Sequence, residues 1–253
     1  MPRSIRVVQI TDCHLPADKL QQYRGINPHV NLERLLAVVK KVKPDVLLAS
    51  GDLSEDASQQ SYRVLRQLFS TLHIPILALP GNHDDPELLA RTFTGSPVDH
   101  PEVTNHGDWQ IIRLNSCLEG RPEGQLSEPT IDSLQQILSE NAGLPALIAL
   151  HHQPVSVGSP WIDKYSLNDP EPFLKLTGLY PRVKLVVWGH VHQVYAQQRG
   201  GSSWLAGPSS AINSMPGVNK FTEDPAGPAC RWLDLFSDGT MQTGIYRLVK
   251  YTG

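Results

Sequence analysis

The chain reads as an α/β protein, and three observations carry that reading. Short apolar runs rich in β-branched residues recur along it, each followed at once by polar residues. Segments with helical spacing lie between them. The composition, 40% hydrophobic and 19% charged over 253 residues, holds enough apolar material for a sizeable core. The runs predict strands at residues 5–10, 46–49, 74–79, 111–114, 146–150 and 183–188, since their length and branching suit buried strands better than helices. Leu32, Leu35, Leu36, Val39 and Val42 fall on one helical face, with Asn31 placed to cap its start. Residues 58–72 form a second helix. Leu126, Ile131, Leu134, Ile137 and Leu138 mark a third, with Ser127 as its cap and Pro129 in its first turn. Strands alternating with helices put the helices on the outer faces of the sheet.

The C-terminal third differs. Residues 203–206, 231–236 and 241–248 read as strands, with a turn at Ser237-Asp238-Gly239. Residues 208–230, with four prolines and two glycines, form a long loop of the kind that serves function. No internal repeat or low-complexity tract divides the chain, so residues 1–253 read as a single domain.

Charge and cysteine content exclude several classes. The net charge is -3 and no Lys/Arg run exceeds two residues, so the chain lacks the footprint of a dedicated nucleic-acid binder. Cys13, Cys117 and Cys230 are too few and too scattered for a disulfide framework or a Cys-type zinc site, which favours a reducing compartment. The apolar run Val7-Val8-Gln9-Ile10 is too short for a signal peptide, and no stretch approaches the roughly 20 apolar residues of a spanning helix. The expectation is a cytoplasmic protein without a membrane partner.

Five polar motifs close five of the predicted strands: Asp12-Cys13-His14, Gly51-Asp52, Gly81-Asn82-His83-Asp84, His151-His152 and Gly189-His190-Val191-His192. In open α/β sheets ligands bind beyond the carboxyl ends of strands, so convergence of these ends would gather the motifs in one place. Asp12 and His14, two apart, would point the same way in an extended segment and could grip one ion. His190 and His192 repeat that spacing, although a turn there could splay them toward two ions. Imidazole, carboxylate and amide oxygen without thiolate suit Mn, Fe or Zn. Asp52 has two oxygens with which to bridge ions about 3.5–4 Å apart. Gly51, Gly81 and Gly189 stand where a chain leaving a strand must turn sharply and approach an ion closely. A lone histidine is more often an ordinary core or surface residue. Six of the ten histidines, however, fall inside these motifs, each after an apolar run, and that concentration favours a metal site. Cys13 should point away from its neighbours as a buried spectator.

Taken in order, the motifs resemble those of the calcineurin-like metallophosphoesterases: D-x-H, G-D, G-N-H-D/E, H and G-H-x-H, here spanning residues 12–192. Gly25-Ile26-Asn27, Gly124-Gln125-Leu126-Ser127, Trp161-Ile162-Asp163, Ser166-Leu167 and Gln193 after the last motif make the chain most similar to the bacterial class III 3′,5′-cyclic AMP phosphodiesterases of the Icc type. The resemblance implies a two-sheet αββα sandwich and two divalent ions per chain, Fe and/or Mn ahead of Mg, Zn or Co. One ion would be held by Asp12, His14, Asp52 and His192, the other by Asp52, Asn82, His151 and His190, with Asp52 bridging. The family pattern has one ligand where this chain has His151-His152; the alignment chooses His151 and leaves His152 behind it or facing substrate. His83 would act as the acid, oriented from behind by Asp84, and Asn82, His83, His14 and His192 would face the substrate. That substrate would be cyclic AMP, hydrolysed to 5′-AMP by a hydroxide formed at the ions, with protonation of the leaving O3′ by His83 worth about 10²–10⁴-fold. Residues 158–172 and 208–230, with Trp161, Tyr165 and Phe221 for stacking, are candidates to hold the base; a homodimer is one assembly the resemblance allows. Competing readings are the same chemistry on another ester (a glycerophosphodiester, a nucleotide-sugar lipid or a phosphoprotein), a DNA-end nuclease, and a non-enzymatic metal-binding scaffold. The absence of basic stretches and of extra length weighs against the nuclease. The complete ligand set together with His83 weighs against the scaffold.

Overall fold

A computed structural model describes residues 4–140 and 143–248. In chain order the elements are β1 (Ser4–Ile10), α1 (Pro28–Val42), β2 (Val46–Ser50), α2 (Gln59–Ser70), β3 (Ile76–Leu79), α3 (Pro86–Thr92), β4 (Glu102–His106) and β5 (Trp109–Arg113). They continue with β6 (Gly124–Gln125), α4 (Glu128–Glu140), β7 (Ala146–Ala149), α5 (Pro160–Asp163), β8 (Leu167–Asn168), α6 (Glu171–Leu179) and β9 (Val183–Trp188). The chain closes with β10 (Tyr195–Arg199), β11 (Ser202–Ala206), β12 (Ala229–Phe236) and β13 (Met241–Arg247).

Two main sheets result, ordered β13-β12-β1-β2-β3 and β10-β11-β9-β7-β5-β4. Alternation along the buried strands explains their stacking. Val46 and Leu48 of β2 join Leu147, Ala149, Leu185 and Val187 of the other sheet in one apolar layer. Leu47 and Ala49, one residue out of phase, face Leu35, Val39, Leu65 and Phe69 of α1 and α2. On the far side Ile148 and Val186 pack against Leu134, Leu138, Phe173 and Leu176 of α4 and α6. A strand apolar on both faces must be covered on both, and the outcome is helices outside two sheets, the expected αββα sandwich.

Local chemistry sets most element ends. Ser127 caps α4 as expected: its hydroxyl accepts from the Thr130 N–H at 3.3 Å. At α1 the expectation fails. The cap is Asn27, whose side-chain oxygen accepts from the Val30 N–H at 3.1 Å, with Pro28 at the first position. Asn31 lies a turn inside and donates to the Ala211 carbonyl instead. The edge strands β4 and β10 escape the apolar-run signal because one face of an edge needs no covering; β10 is Tyr-Ala-Gln-Gln-Arg. The helices α3, α5 and α6 are short and proline-led, with little periodicity to read.

What positions the site is topology. β1, β2 and β3 are parallel neighbours in one sheet, and β7 and β9 are parallel neighbours in the other. Their carboxyl ends open along one edge of the sandwich. Among the described residues no helix is long and apolar enough to cross a membrane.

Candidate dinuclear metal centre

All five motifs meet at that edge. Asp12, His14 and His192 bring one ligand atom each within 4.8 Å of one another; so do Asp12, Asp52 and His151; His151, His152 and His190; and His14, Asp52 and His83. Asp52 lies between the groups, with Oδ1 3.4 Å from His151 Nε2 and Oδ2 3.8 Å from His14 Nε2. His190 and His192 serve different groups, so the turn splays them.

The backbone that achieves this is not extended. Asp12, His14, Asp52, His190 and His192 all have φ between 45° and 65°, the left-handed region that costs a non-glycine residue of order 1–3 kcal/mol. The extended geometry expected between Asp12 and His14 is therefore replaced by two left-handed residues. They are held by backbone hydrogen bonds from the Asp12 N–H to Gly51 O (3.0 Å) and from the His14 N–H to Asp52 O (2.9 Å). Gly51 itself sits at φ 91°, and a Cβ there would overlap the His151 ring nitrogen Nδ1. At Gly189 a Cβ would run into the Thr11 hydroxyl and crowd Asp12 Oδ2 at 2.9 Å.

Ring tautomers follow from the acceptors outside the cluster. His14 Nδ1 meets Glu55 Oε2 at 2.8 Å, His151 Nδ1 meets Ser50 O at 2.9 Å, and His192 Nδ1 meets Ile212 O at 2.7 Å. His190 uses the other nitrogen, with Nε2 3.1 Å from Tyr165 O. Carbonyls and carboxylates only accept, so each ring spends an N–H outward, and His14, His190 and His192, which stay neutral, turn a bare lone pair inward. His14 Nε2 and His192 Nε2 then face each other at 3.1 Å, two lone pairs with no proton to share. His151 Nε2, His152 Nε2 and Asn82 Oδ1 are buried without a hydrogen-bond partner. Burial holds His14, His190 and His192 below the ordinary histidine pKa, so they stay neutral. Burial opposes the charged His151 ring too, yet the Asp52 carboxylate lifts it to about 9, so the proton on its inward Nε2 is one that a cation would displace. Burial pushes Asp12 up to about 7, against the charge of His151. Inward lone pairs, the buried carboxylates of Asp12 and Asp52 and the orphaned Asn82 oxygen form a donor set of the kind that holds cations, and these residues fit divalent ions.

His152 behaves differently. The Ser116 hydroxyl accepts from its backbone N–H at 3.3 Å and lies 2.9 Å from its Nδ1. Its Nε2 is buried without a partner and joins only the His151–His190 group, whereas His151 Nε2 also lies 3.4 Å from Asp52 Oδ1 and belongs to the Asp12–Asp52 group, which favours His151 of the adjacent pair.

His83 and Asp84 occupy a tight turn, closed by the Asp84 N–H on Gly81 O at 3.0 Å. The His83 N–H donates to Asp52 Oδ1 at 2.9 Å, and its ring, 37% exposed, lines the open cavity. Asp84 does not orient it from behind. Its carboxylate accepts from the Leu53, Ser54 and Gly81 N–H groups and from the Tyr62 hydroxyl, so it braces the two loops carrying Asp52 and Asn82. The partner of the ring is Glu55, 3.3 Å from His83 Nδ1. Burial disfavours the charged imidazole, yet the Glu55 contact and the Asp52 charge outweigh it and lift His83 to about 9. Glu55 in turn falls to about 2, burial being overcome by its two histidine partners. Sequence reasoning passed over Glu55; the available signal was a carboxylate three residues beyond Asp52, in the same turn. It also missed Tyr23, stacked on His14 with ring centroids 4.0 Å apart. Ser209 was missed as well; its hydroxyl donates to the Asp12 carbonyl at 2.8 Å. Cys13 is the buried spectator expected, with its sulfur 3.2 Å from the Ser210 hydroxyl.

The family profile described as calcineurin-like phosphoesterase matches residues 5–194, three quarters of the chain and all five motifs. The chain belongs to the calcineurin-like phosphoesterase family. It is 34% identical over 247 residues to the 3′,5′-cyclic adenosine monophosphate phosphodiesterase CpdA of Pseudomonas aeruginosa, covering 97% of this chain and 90% of that protein. It is 36% identical over 249 residues to a 3′,5′-cyclic-nucleotide phosphodiesterase of Nostoc sp., covering 96% and 92%. Among solved structures, a dimetal phosphatase from Danio rerio superposes with a TM-score of 0.71 at 13% identity, covering 96% of this chain and 99% of that one. Purple acid phosphatase from yellow lupin follows at 0.70 and 15% identity, covering 98% of this chain and 52% of that one. These likenesses bear on fold. As a family member the chain is a metallophosphoesterase, and its clustered His and Asp side chains suit divalent metals.

Proposed function

We propose that the chain hydrolyses 3′,5′-cyclic AMP to 5′-AMP with two divalent ions, Fe and/or Mn, as cofactors. Asp12, His14, Asp52 and His192 hold one ion, and Asp52, Asn82, His151 and His190 hold the other. The observation that carries this reading is the set of inward lone pairs on either side of Asp52, beside a cavity edge occupied by a protonated His83. When bound, the ions acidify a water and neutralise charge on the phosphoryl oxygens. The protein's own residues do the rest. Glu55 fixes the His83 ring and favours its charged form, so that it can pass its proton to the departing O3′. Asp84 and Tyr62 hold the Gly81–Asp84 turn against the Asp52 loop, which keeps His83 and Asn82 at fixed separation from the ligands. The substrate assignment draws on the cyclic-nucleotide phosphodiesterases, which the chain covers for nine tenths of their length. The alternative is the same hydrolysis on a glycerophosphodiester, a nucleotide-sugar lipid or a phosphoprotein. The purified protein should be assayed on cyclic AMP, cyclic GMP and a panel of these esters, with metal content measured in parallel. Highest kcat/KM on cyclic AMP with about two ions per chain supports the reading, whereas a better acyclic ester overturns the substrate.

A further inference from the structure

The cavity above the candidate ligands holds only about 130 Å³, below the roughly 300 Å³ at which sites for whole organic ligands begin. It can take a phosphate and part of a sugar, so the base of a nucleotide must lie outside. Two routes lead out. Beyond Asn82 a cleft of about 500 Å³ is lined by Asp84, Asp85, Glu87, Asp99 and Glu119, with no cation and no aromatic ring. An anionic ligand is repelled there and a base finds nothing to stack on.

The other route is the mouth, and there the chemistry is reversed. Tyr23 and Ile26 exchange backbone hydrogen bonds at 2.9 and 3.0 Å, closing a two-residue turn. Arg24 and Gly25 form its tip, at φ 47° and 82°, the pattern of a rigid type I′ turn. This turn presents the Arg24 guanidinium over the Phe221 ring, 4.2 Å from its centroid. Nε donates to the Tyr23 hydroxyl at 3.1 Å, and among the described residues no carboxylate forms an ion pair with it. Phe221 meets Trp161 edge-on at 5.3 Å, and the Trp161 indole N–H is buried without an acceptor. The guanidinium carbon also lies 5.5 Å from the Tyr23 ring centroid. Arg24 is solvent-exposed while Phe221 is half-buried, so the cation is packed against Phe221 on its inner side and its outer surface is open to solvent. A planar cation on an aromatic ring is a stacking surface for any nucleobase.

We propose that Arg24 and Phe221 form a nucleobase subsite, in which the base stacks on the outer face of the guanidinium while the phosphate lies over the ligand cluster. The inference rests on the cyclic-nucleotide reading and names the residues that would make it selective for nucleotides over base-free esters. The test compares cyclic AMP with 1-deoxyribose 3′,5′-cyclic phosphate, which keeps the ring and lacks the base. The kcat/KM ratio between them should fall about 5- to 150-fold in Arg24→Ala and in Phe221→Ala. Arg24→Lys should fall too, since a lysine keeps the charge without the plane. A wild-type ratio in Arg24→Lys would show a simple phosphate cation and overturn the subsite, as would equal losses on both substrates. Adenosine supplies an arm independent of cyclic AMP turnover. It should inhibit hydrolysis of the base-free ester, and more weakly in each variant. If the wild type ignores cyclic AMP yet shows this pattern, the substrate assignment fails and the subsite stands; adenosine inhibition equal in wild type and variants overturns the subsite.

Discussion

Replacing His83 by Ala separates chemistry from metal binding. The ring is 37% exposed and its contacts are Glu55 at 3.3 Å and the edge of His14, with centroids 4.8 Å apart. Glu55 keeps its 2.8 Å contact to His14 when His83 is gone, so the surrounding structure is left intact. A partly exposed ion pair of this kind contributes about 0–1 kcal/mol to stability. The chemical effect is far larger. Losing a positioned proton donor lowers turnover by about 10²–10⁴-fold, equivalent to about 3–5 kcal/mol of transition-state stabilisation. The assay is kcat on cyclic AMP against kcat on a p-nitrophenyl diester, with metals counted in the same preparations. The nitrophenolate departs without protonation, so its loss should be much smaller. Equal losses on both would make His83 a phosphate-binding group and refute the acid role. Loss of metal would refute it differently, because His83 also lies within ligand reach of His14 and Asp52.

Asp52→Ala should bring activity near background and metal content well below two ions per chain; retention of both ions at a normal rate would sink the bridging assignment. Ser209→Ala removes a fully buried hydroxyl that donates to Asp12 O and accepts from the Ala211 and Ile212 N–H groups. Urea unfolding should show a loss of about 1–3 kcal/mol, and an unchanged midpoint would contradict that role. Gly51→Ala forces a Cβ onto His151 at φ 91° and should lower the thermal midpoint and metal content together; an alanine variant that binds two ions normally would show that the glycine is dispensable.

Much of the fold was legible because buried parallel strands must be apolar on both faces. Runs such as Val46–Ser50 and Val183–Trp188 announce themselves without context. The polar motifs after them were equally legible, since a histidine or aspartate directly beyond such a run has few structural reasons to be there. The polar edge strand Tyr195–Arg199 and the proline-led helices were not, because neither carries a periodic apolar face. Likewise the boundary at Asn27 depended on a turn whose glycine and left-handed arginine only the folded chain arranges. At the site itself, residue types and order pointed to Asp12, His14, Asp52, Asn82, His151, His190 and His192. Which nitrogen of each histidine turns inward was decided elsewhere: by the carbonyls of Ser50, Tyr165 and Ile212 and by Glu55, up to 101 residues away in sequence. The exchange of Asp84 for Glu55 as the partner of His83 has the same origin. Motif spacing fixes which side chains are near one another along the backbone. Tautomer, charge and orientation depend on hydrogen-bond partners that reach the site from other loops, and those meet only when the two sheets close on their shared core.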